Sequence, residues 1–523
     1  MKATLIFLFC ALLMTDLHSQ SYKSIVVDTK NGKIKGINNG STYQFLGIRY
    51  AMPPVGELRF MPPEIPKAWE DTVNALSYSP IALQVPSSTQ EVSFKPQKED
   101  CLSLNIWTTD INRKKPVMVF IHGGAFLIGG TNTPLYNGNN MATEGDVVIV
   151  TIQYRLGVLG WLDLSQFGEK YKHSANLGLL DQRAALKWVK ENIASFGGDP
   201  DNITIFGESA GSISVTCHLL TPYAGDLFHK AIAQSGTFYL NRKKSMAENF
   251  TKEFMKMAKA NSVEDLRKLN MDQIIQLQKK ALKKNMVIAD QLFLPVLDGE
   301  LLPSNPEKYL KENEKTSIPL MTGICHDEAF YWYYQYKIAK RFPKLAVRKI
   351  LNNAGYNKHQ IKNLAAQFQK DPLYPNKKDR YFSVASWVIF KYSQYKFANL
   401  YKESNNVWFY DFSWRPSYKN KPLYAFHSSE LPYVFGNYYQ QLEKYPYGLN
   451  KDLMAAMVQT WTSFAKHGNP NNKLIPGWKP LNEKQSEIIF DQNIRTTTIP
   501  DLKIREIIET YEKEIKESQH SRH

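Results

Sequence analysis

The sequence predicts an α/β fold, a large and mostly parallel central sheet flanked by helices. Six short apolar runs recur along it, at residues 117–121 (VMVFI), 147–152 (VVIVTI), 203–206 (ITIF), 231–234 (AIAQ), 319–323 (PLMTG) and 407–412 (VWFYDF). Continuous runs of this length are the signature of strands buried on both faces. Between the second and third, residues 179–196 bring Leu180, Ala184, Trp188 and Ile193 to near-helical spacing, and Gly197-Gly198 closes the pattern. Strand, helix, strand makes a crossover unit. No repeat with a period of about 20–50 residues is present. No Gly/Ser linker divides the chain either, so residues 20–523 are expected to form one domain.

Taken from the N-terminus, the first element is a leader. Lys2 precedes ten apolar residues, 5–14 (LIFLFCALLM), and a polar stretch follows at 15–21. That order is the pattern of a secretory signal peptide, with cleavage near Ser19 or Gln20 removing residues 1–19 and leaving an extracellular protein. No other run approaches the ~20 apolar residues of a membrane helix. With a mean hydropathy of -0.40, no membrane span is expected. A composition of 43% hydrophobic and 22% charged residues, with 28 Gly and 27 Pro, excludes disordered and collagen-like classes. Residues 240–290 and 335–405, rich in Lys, Tyr and helix formers, read as helical excursions from the sheet that would form a gorge over it. Residues 504–517 (IREIIETYEKEIKE) read as an amphipathic surface helix with no chemistry.

The formal net charge is +16, and removing residues 1–19 takes one charge of each sign, Lys2 and Asp16. A basic balance raises nucleic acid as a partner. The lysines stand in short pairs such as Lys243-Lys244, Lys279-Lys280 and Lys283-Lys284, with no zinc-finger spacing and no basic heptads, so a solvated basic surface and no nucleic-acid partner are expected. Cys101, Cys217 and Cys325 remain after the leader, too few for a disulfide scaffold. Sequons at Asn39, Asn202 and Asn249 are glycosylation candidates.

The strongest chemical signal is Gly207-Glu208-Ser209-Ala210-Gly211, set between the strand run ITIF and the helix-compatible SISVTCHLL. Small residues at both ends permit a sharp strand-to-helix turn that exposes the Ser209 hydroxyl at the carboxyl edge of the sheet. A serine nucleophile needs a base for its proton and fixed donors for the oxyanion. His122-Gly123-Gly124-Ala125-Phe126 directly follows the run VMVFI and supplies such donors: the amides of Gly124 and Ala125, with that of Ala210, would make a three-donor oxyanion hole.

These motifs make the sequence resemble the type-B carboxylesterases, the family of the cholinesterases and juvenile-hormone esterases, which have the α/β-hydrolase fold. Further signposts are residues 45–60 (FLGIRYAMPPVGELRF), 99–102 (EDCL), 154–157 (YRLG), 176–182 (NLGLLDQ), 234–236 (QSG), 295–299 (PVLDG) and 461–470 (WTSFAKHGNP). The resemblance implies the two partners that spacing alone leaves open among eleven histidines. Gly323 to Ala329 (GICHDEA) matches the family's acid motif and implies Glu328, with alanine in place of the usual glycine and Asp327 as an adjacent rival. His427, ahead of the run SSELPYVF, is the implied base. Ser209, Glu328 and His427 would then stand in the nucleophile, acid, base order of this fold.

The resemblance also implies structural ion pairs Arg59 with Glu99 and Arg155 with Asp181, and leaves Glu208 either orienting His427 or buried as a hydrogen-bonding carboxylate. His122 is expected to shape the oxyanion loop, His326 to neighbour the acid and His467 to lie in a surface turn. Some of the aromatic run 330–334 (FYWYY) would line a substrate pocket. The family's choline-recognition tryptophan would fall near residues 91–94 (EVSF), where none stands, and the segment 80–84 (PIALQ) has alanine where the family's first disulfide would pair with Cys101. After Gln234-Ser235-Gly236 the acyl-pocket tryptophan is also absent, so that Leu240 or Asn241 would widen the pocket unless Phe238 or Tyr239 refills it. The expected activity is that of a secreted serine carboxylesterase acting on small to medium lipophilic esters, with no cofactor and no metal. A hormone or pheromone esterase and a non-catalytic adhesion relative are the alternatives. The second position of GESAG is glutamate where juvenile-hormone esterases usually have glutamine, and adhesion relatives generally lack the nucleophile.

Overall fold

The computed structural model describes residues 23–85, 96–285, 291–312, 317–418, 421–437, 450–481, 486–499 and 502–520. Residues 1–19, expected to form a leader, and the segment 91–94 lie outside the described residues.

Twelve strands run in one continuous sheet path: β1 (Lys23–Thr29), β2 (Gly32–Asn38), β3 (Tyr43–Arg49), β4 (Ser103–Thr108), β5 (Lys115–Ile121), β6 (Val148–Ile152), β7 (Gly198–Glu208), β8 (Lys230–Gln234), β9 (Leu320–Cys325), β10 (Val407–Phe412), β11 (Ser486–Phe490) and β12 (Arg495–Thr498). Their spatial order is β1-β2-β3-β4-β6-β5-β7-β8-β9-β10-β11-β12, and the two-residue strand Val73–Asn74 adds to β2. Every pairing from β6 through β11 is parallel. The β1 to β4 flank and the β12 edge are antiparallel. All six predicted runs are strands of this parallel block.

The apolar runs are continuous because both faces are covered. In β5, Val117, Val119 and Ile121 enter one core while Met118 and Phe120 enter the other. The same alternation divides β6, β8 and β10. One core meets α1 (Leu177–Asn192) through Leu179, Leu186 and Val189; the opposite core meets α9 (Lys451–His467) through Met457, Trp461 and Phe464. Each such buried Val, Leu, Ile, Met or Phe contributes about 1.5–3 kcal/mol. The helical pattern at 179–196 is α1 followed by a single 3-10 turn, Ile193–Phe196. Gly197 ends it at φ 77°, where a Cβ would stand 2.1 Å from the Asp110 carbonyl oxygen.

The remaining helices named below are α2 (Ala210–His218), α3 (Lys244–Ala258), α4 (Phe330–Gln335), α5 (Lys337–Arg341), α6 (Pro343–Asn353), α7 (Lys358–Gln367), α8 (Tyr392–Tyr401) and α10 (Leu502–His520). The two predicted excursions are helical. α10 is amphipathic as expected, and it buries Ile504 and Ile508 in the core that holds α1. Strands β1 to β4 carry no assignment from the sequence. β1 and β2 are largely exposed or half-buried, and Gly and Lys break their apolar signal. No helix among the described residues is long and apolar enough to cross a membrane.

Candidate active site

The site is assembled at the carboxyl ends of β5, β7, β9 and β10. After β7 the chain turns sharply, and Ser209 takes φ 58°, ψ -121°, a conformation that costs a non-glycine residue about 1–3 kcal/mol. The turn is held by the Ser209 amide, which donates to the Gln234 carbonyl at 2.9 Å. It needs the two flanking glycines. A Cβ on Gly211 would stand 1.9 Å from the Ile121 carbonyl oxygen, and one on Gly207 2.6 Å from the Gly211 carbonyl. α2 begins at Ala210, whose amide, as the first of a helix, has no intrahelical acceptor.

The loop after β5 packs directly on this turn, since a Cβ on Gly123 would come within 3.0 Å of Ser209 Cβ. Gly124 (φ 110°), Ala125 (φ 55°) and Phe126 (φ 59°) all lie in the left-handed region. Positive φ at three successive residues turns the chain tightly away from the strand direction of β5. The Gly124 carbonyl is used internally by the amides of Leu127 and Ile128, each at 3.0 Å. His122 is buried, stacks on Tyr154 with ring centroids 4.4 Å apart, and bonds through Nδ1 to the Gly123 carbonyl. Burial lowers its pKa to about 4, so the ring is neutral and shapes the loop, as expected.

His427 lies in the loop between β10 and the short helix Leu431–Phe435. Its Nδ1 is 2.6 Å from Glu328 Oε2, and the Cys325 amide donates to Glu328 Oε1 at 2.9 Å. Its Nε2 is 3.1 Å from Oε1 of Glu208, the residue before Ser209. The ring is walled by Phe390, at 4.7 Å between centroids, and by the edge of Tyr331 at 6.0 Å. Burial pulls the His427 pKa down, but Glu208 and Glu328 outweigh it and push it up to about 9.

The structure separates the two adjacent acids. Asp327 accepts both Arg415 Nε and Nη2, at 2.7 and 2.6 Å, and the Tyr374 hydroxyl at 2.8 Å. That leaves Glu328 as the carboxylate on His427. Glu208 also accepts the Ser428 hydroxyl at 2.6 Å, so it is both a buried hydrogen-bonding carboxylate and a neighbour of the imidazole.

Arg59 with Glu99 and Arg155 with Asp181 form buried two-point ion pairs, the first at 2.7 and 2.5 Å, the second at 2.8 and 2.6 Å. His326 Nδ1 bonds Asp411 at 2.7 Å beside the acid, and His467 is the exposed last residue of α9. Of the aromatic run, Tyr331 and Trp332 turn to the His427 and Phe390 side, whereas Phe330 stacks on Tyr424 and Tyr334 meets Phe426.

A second layer carries no assignment from the sequence. Glu430 receives Gln234 Nε2 at 3.2 Å and lies 2.8 Å from Cys325 Sγ, and Gln234 accepts the Trp461 indole at 3.1 Å. Its residues fall inside the runs QSG, GICHDEA, SSELPYVF and WTSFAKHGNP, whose density was the available signal. Phe390 lies in a π-helical turn (Ser386–Lys391) with no motif to mark it. Among the described residues no group of three His, Cys, Asp or Glu could hold a metal ion.

The chain matches the carboxylesterase family over residues 23–505. It belongs to that family. It is 37% identical over 504 residues to the para-nitrobenzyl esterase of Bacillus subtilis (strain 168), covering 92% of this chain and 98% of that one. It is 34% identical over 526 residues to the liver carboxylesterase of Sus scrofa, covering 90% and 89%. The crystal structure of the Geobacillus stearothermophilus carboxylesterase EST55 at pH 6.2 matches with a TM-score of 0.81 at 33% identity, covering 92% of this chain and 99% of that one. The fold is accordingly the α/β-hydrolase fold, and this family member is a carboxylic ester hydrolase.

Proposed function

We propose that the protein is a secreted serine carboxylesterase that hydrolyses small to medium lipophilic esters through an acyl-enzyme. The observation that carries this reading is the pair of contacts of His427, on Glu328 through Nδ1 and beside the residue preceding Ser209 through Nε2. Ser209 Oγ attacks the ester carbonyl and gives its proton to Nε2. The negative oxygen of the tetrahedral intermediate is met by the amides of Gly124, Ala125 and Ala210. His427 then hands the proton to the departing alcohol oxygen, leaving the acyl group on Ser209. Water enters, loses a proton to His427 and releases the acid by the same steps. Glu328 fixes the orientation of the ring, and Glu208 lies beside the imidazolium that forms on proton transfer.

The names of relatives support an ester substrate, as for the para-nitrobenzyl esterase of Bacillus subtilis. Secretion is supported by the apolar leader at residues 5–14. Of the sequons, Asn249 on α3 is exposed and best presented for a glycan. Asn39 is half-buried, and Asn202 is half-buried in β7, its side chain engaged by Lys230 and the Lys466 carbonyl.

An aryl-ester assay with an organophosphate tests the reading. Wild type should be inactivated with one phosphoryl group on Ser209, and Ser209→Ala should lose at least about a thousandfold in kcat while remaining folded. Glu328→Gln should lose far more turnover than Asp327→Asn, whose defect should appear as stability, about 3–5 kcal/mol, because Arg415 is left unpaired. Turnover retained by folded Ser209→Ala, or the reverse ranking of the acids, contradicts the assignment.

A further inference from the structure

The basic excess of this chain is concentrated. Residues 329–370 hold nine Lys or Arg and no Asp or Glu, more than half of the net charge of +16. The stretch starts one residue after Glu328 and runs through α4, α5, α6 and α7. Lys337, Lys340, Arg341, Lys344 and Lys349 are exposed, and among the described residues none of these five makes an ion pair. Large apolar side chains stand exposed between them: Ile338 at 60%, Phe342 at 49% and Leu345 at 61%. The helices themselves are anchored, since Ala339, Val347 and Leu351 are buried on their other faces. Three such side chains within eight residues make an unpartnered apolar patch ringed by cations.

We propose that this face docks on an anionic lipid bilayer. Charge complementarity selects the occupant: basic side chains are drawn to acidic headgroups, while Ile338, Phe342 and Leu345 enter the boundary between headgroups and acyl chains. Neither feature alone would suffice, and α5 and α6 present both together. The face adjoins the candidate active site. α4 places Tyr331 against His427, and Ile338 follows seven residues later, within about 25 Å by chain reach.

Vesicle flotation of the full chain tests the proposal, with phosphatidylcholine vesicles compared with vesicles containing phosphatidylglycerol. Wild type should float only with the anionic vesicles, and salt should release it. The triple variant Lys340→Gln/Arg341→Gln/Lys344→Gln should bind them about a hundredfold more weakly, at about fivefold per basic residue. Ile338→Ser/Leu345→Ser should lose about tenfold or more on the same vesicles. Both variants should keep wild-type turnover of soluble p-nitrophenyl acetate. Equal binding to both vesicle types, no flotation of wild type, or unchanged binding by the triple variant overturns the proposal. Binding to polyglutamate in place of anionic vesicles also overturns it and assigns the face to an acidic protein. The wild-type comparison needs no variant, so misfolding of either leaves the question decidable.

Discussion

His427 is surrounded by more carboxylate than one base requires, and this decides its titration. Glu430 is pushed up to about 8 by burial, with Glu208 and Glu328 adding to it, so it carries a proton at neutral pH. Glu208 and Glu328 are the carboxylates nearest His427, and both raise its pKa. Only neutral His427 can accept the Ser209 proton, so kcat/KM should rise with pH as the imidazolium deprotonates. Glu208→Gln keeps the shape and removes one of the two charges, which should lower the His427 pKa and move the acidic limb of the pH profile down by about one unit or more. A limb that stays in place, or moves to higher pH, would show that Glu208 is not ionised in the free enzyme. At this scale the sequence was legible where a motif fixes one residue, as for Ser209 and the glycines around it. It was not legible for neighbours: Asp327 and Glu328 are adjacent carboxylates of one turn, and only the position of Arg415, 88 residues away, shows which of them is already engaged.

Elements were legible in proportion to how completely they are buried. The parallel strands have no solvent face, so their sequences are mostly apolar along their whole length. β7 illustrates the limit. Its predicted core ITIF is fully buried, yet the strand reaches back to Gly198 through polar residues that only pairing with β5 identifies. The loop after β8 is an intermediate case. Tyr239 donates to Glu307 at 3.0 Å and carries Lys396 over its ring at 4.3 Å, so it is committed to the side of α8. Phe238 is buried edge-on to Phe397. These anchors favour the reading in which Leu240 or Asn241 takes the position of the missing ring and leaves the acyl pocket open. Each methylene reaching apolar surface adds about 0.8 kcal/mol, roughly fourfold in kcat/KM. For p-nitrophenyl esters kcat/KM should therefore rise from acetate to butyrate or hexanoate. A maximum at acetate with a steep fall by butyrate would mean that Phe238 refills the space.

At the scale of the whole molecule, the lysine pairs gave the impression of an evenly basic surface. The folded chain gathers the excess onto one excursion because that segment is free of acidic residues over 42 positions. Cohesion has the opposite character and is distributed through both cores, with no covalent staple among the described residues. Cys101, Cys217 and Cys325 are each unpaired and buried. They sit apart, Cys101 just before β4, Cys217 on α2 and Cys325 at the end of β9, and burial raises all three thiol pKa values. A chain this long buries enough surface to dispense with disulfides. A thiol reagent should therefore react with none of them in the folded protein, because the thiolate is suppressed and the reagent excluded. Under denaturing conditions without reductant, Cys101, Cys217 and Cys325 should all titrate as free thiols. A single thiol would reveal an intramolecular bridge that these three buried positions do not make, and none at all would require an intermolecular bond or a modified cysteine.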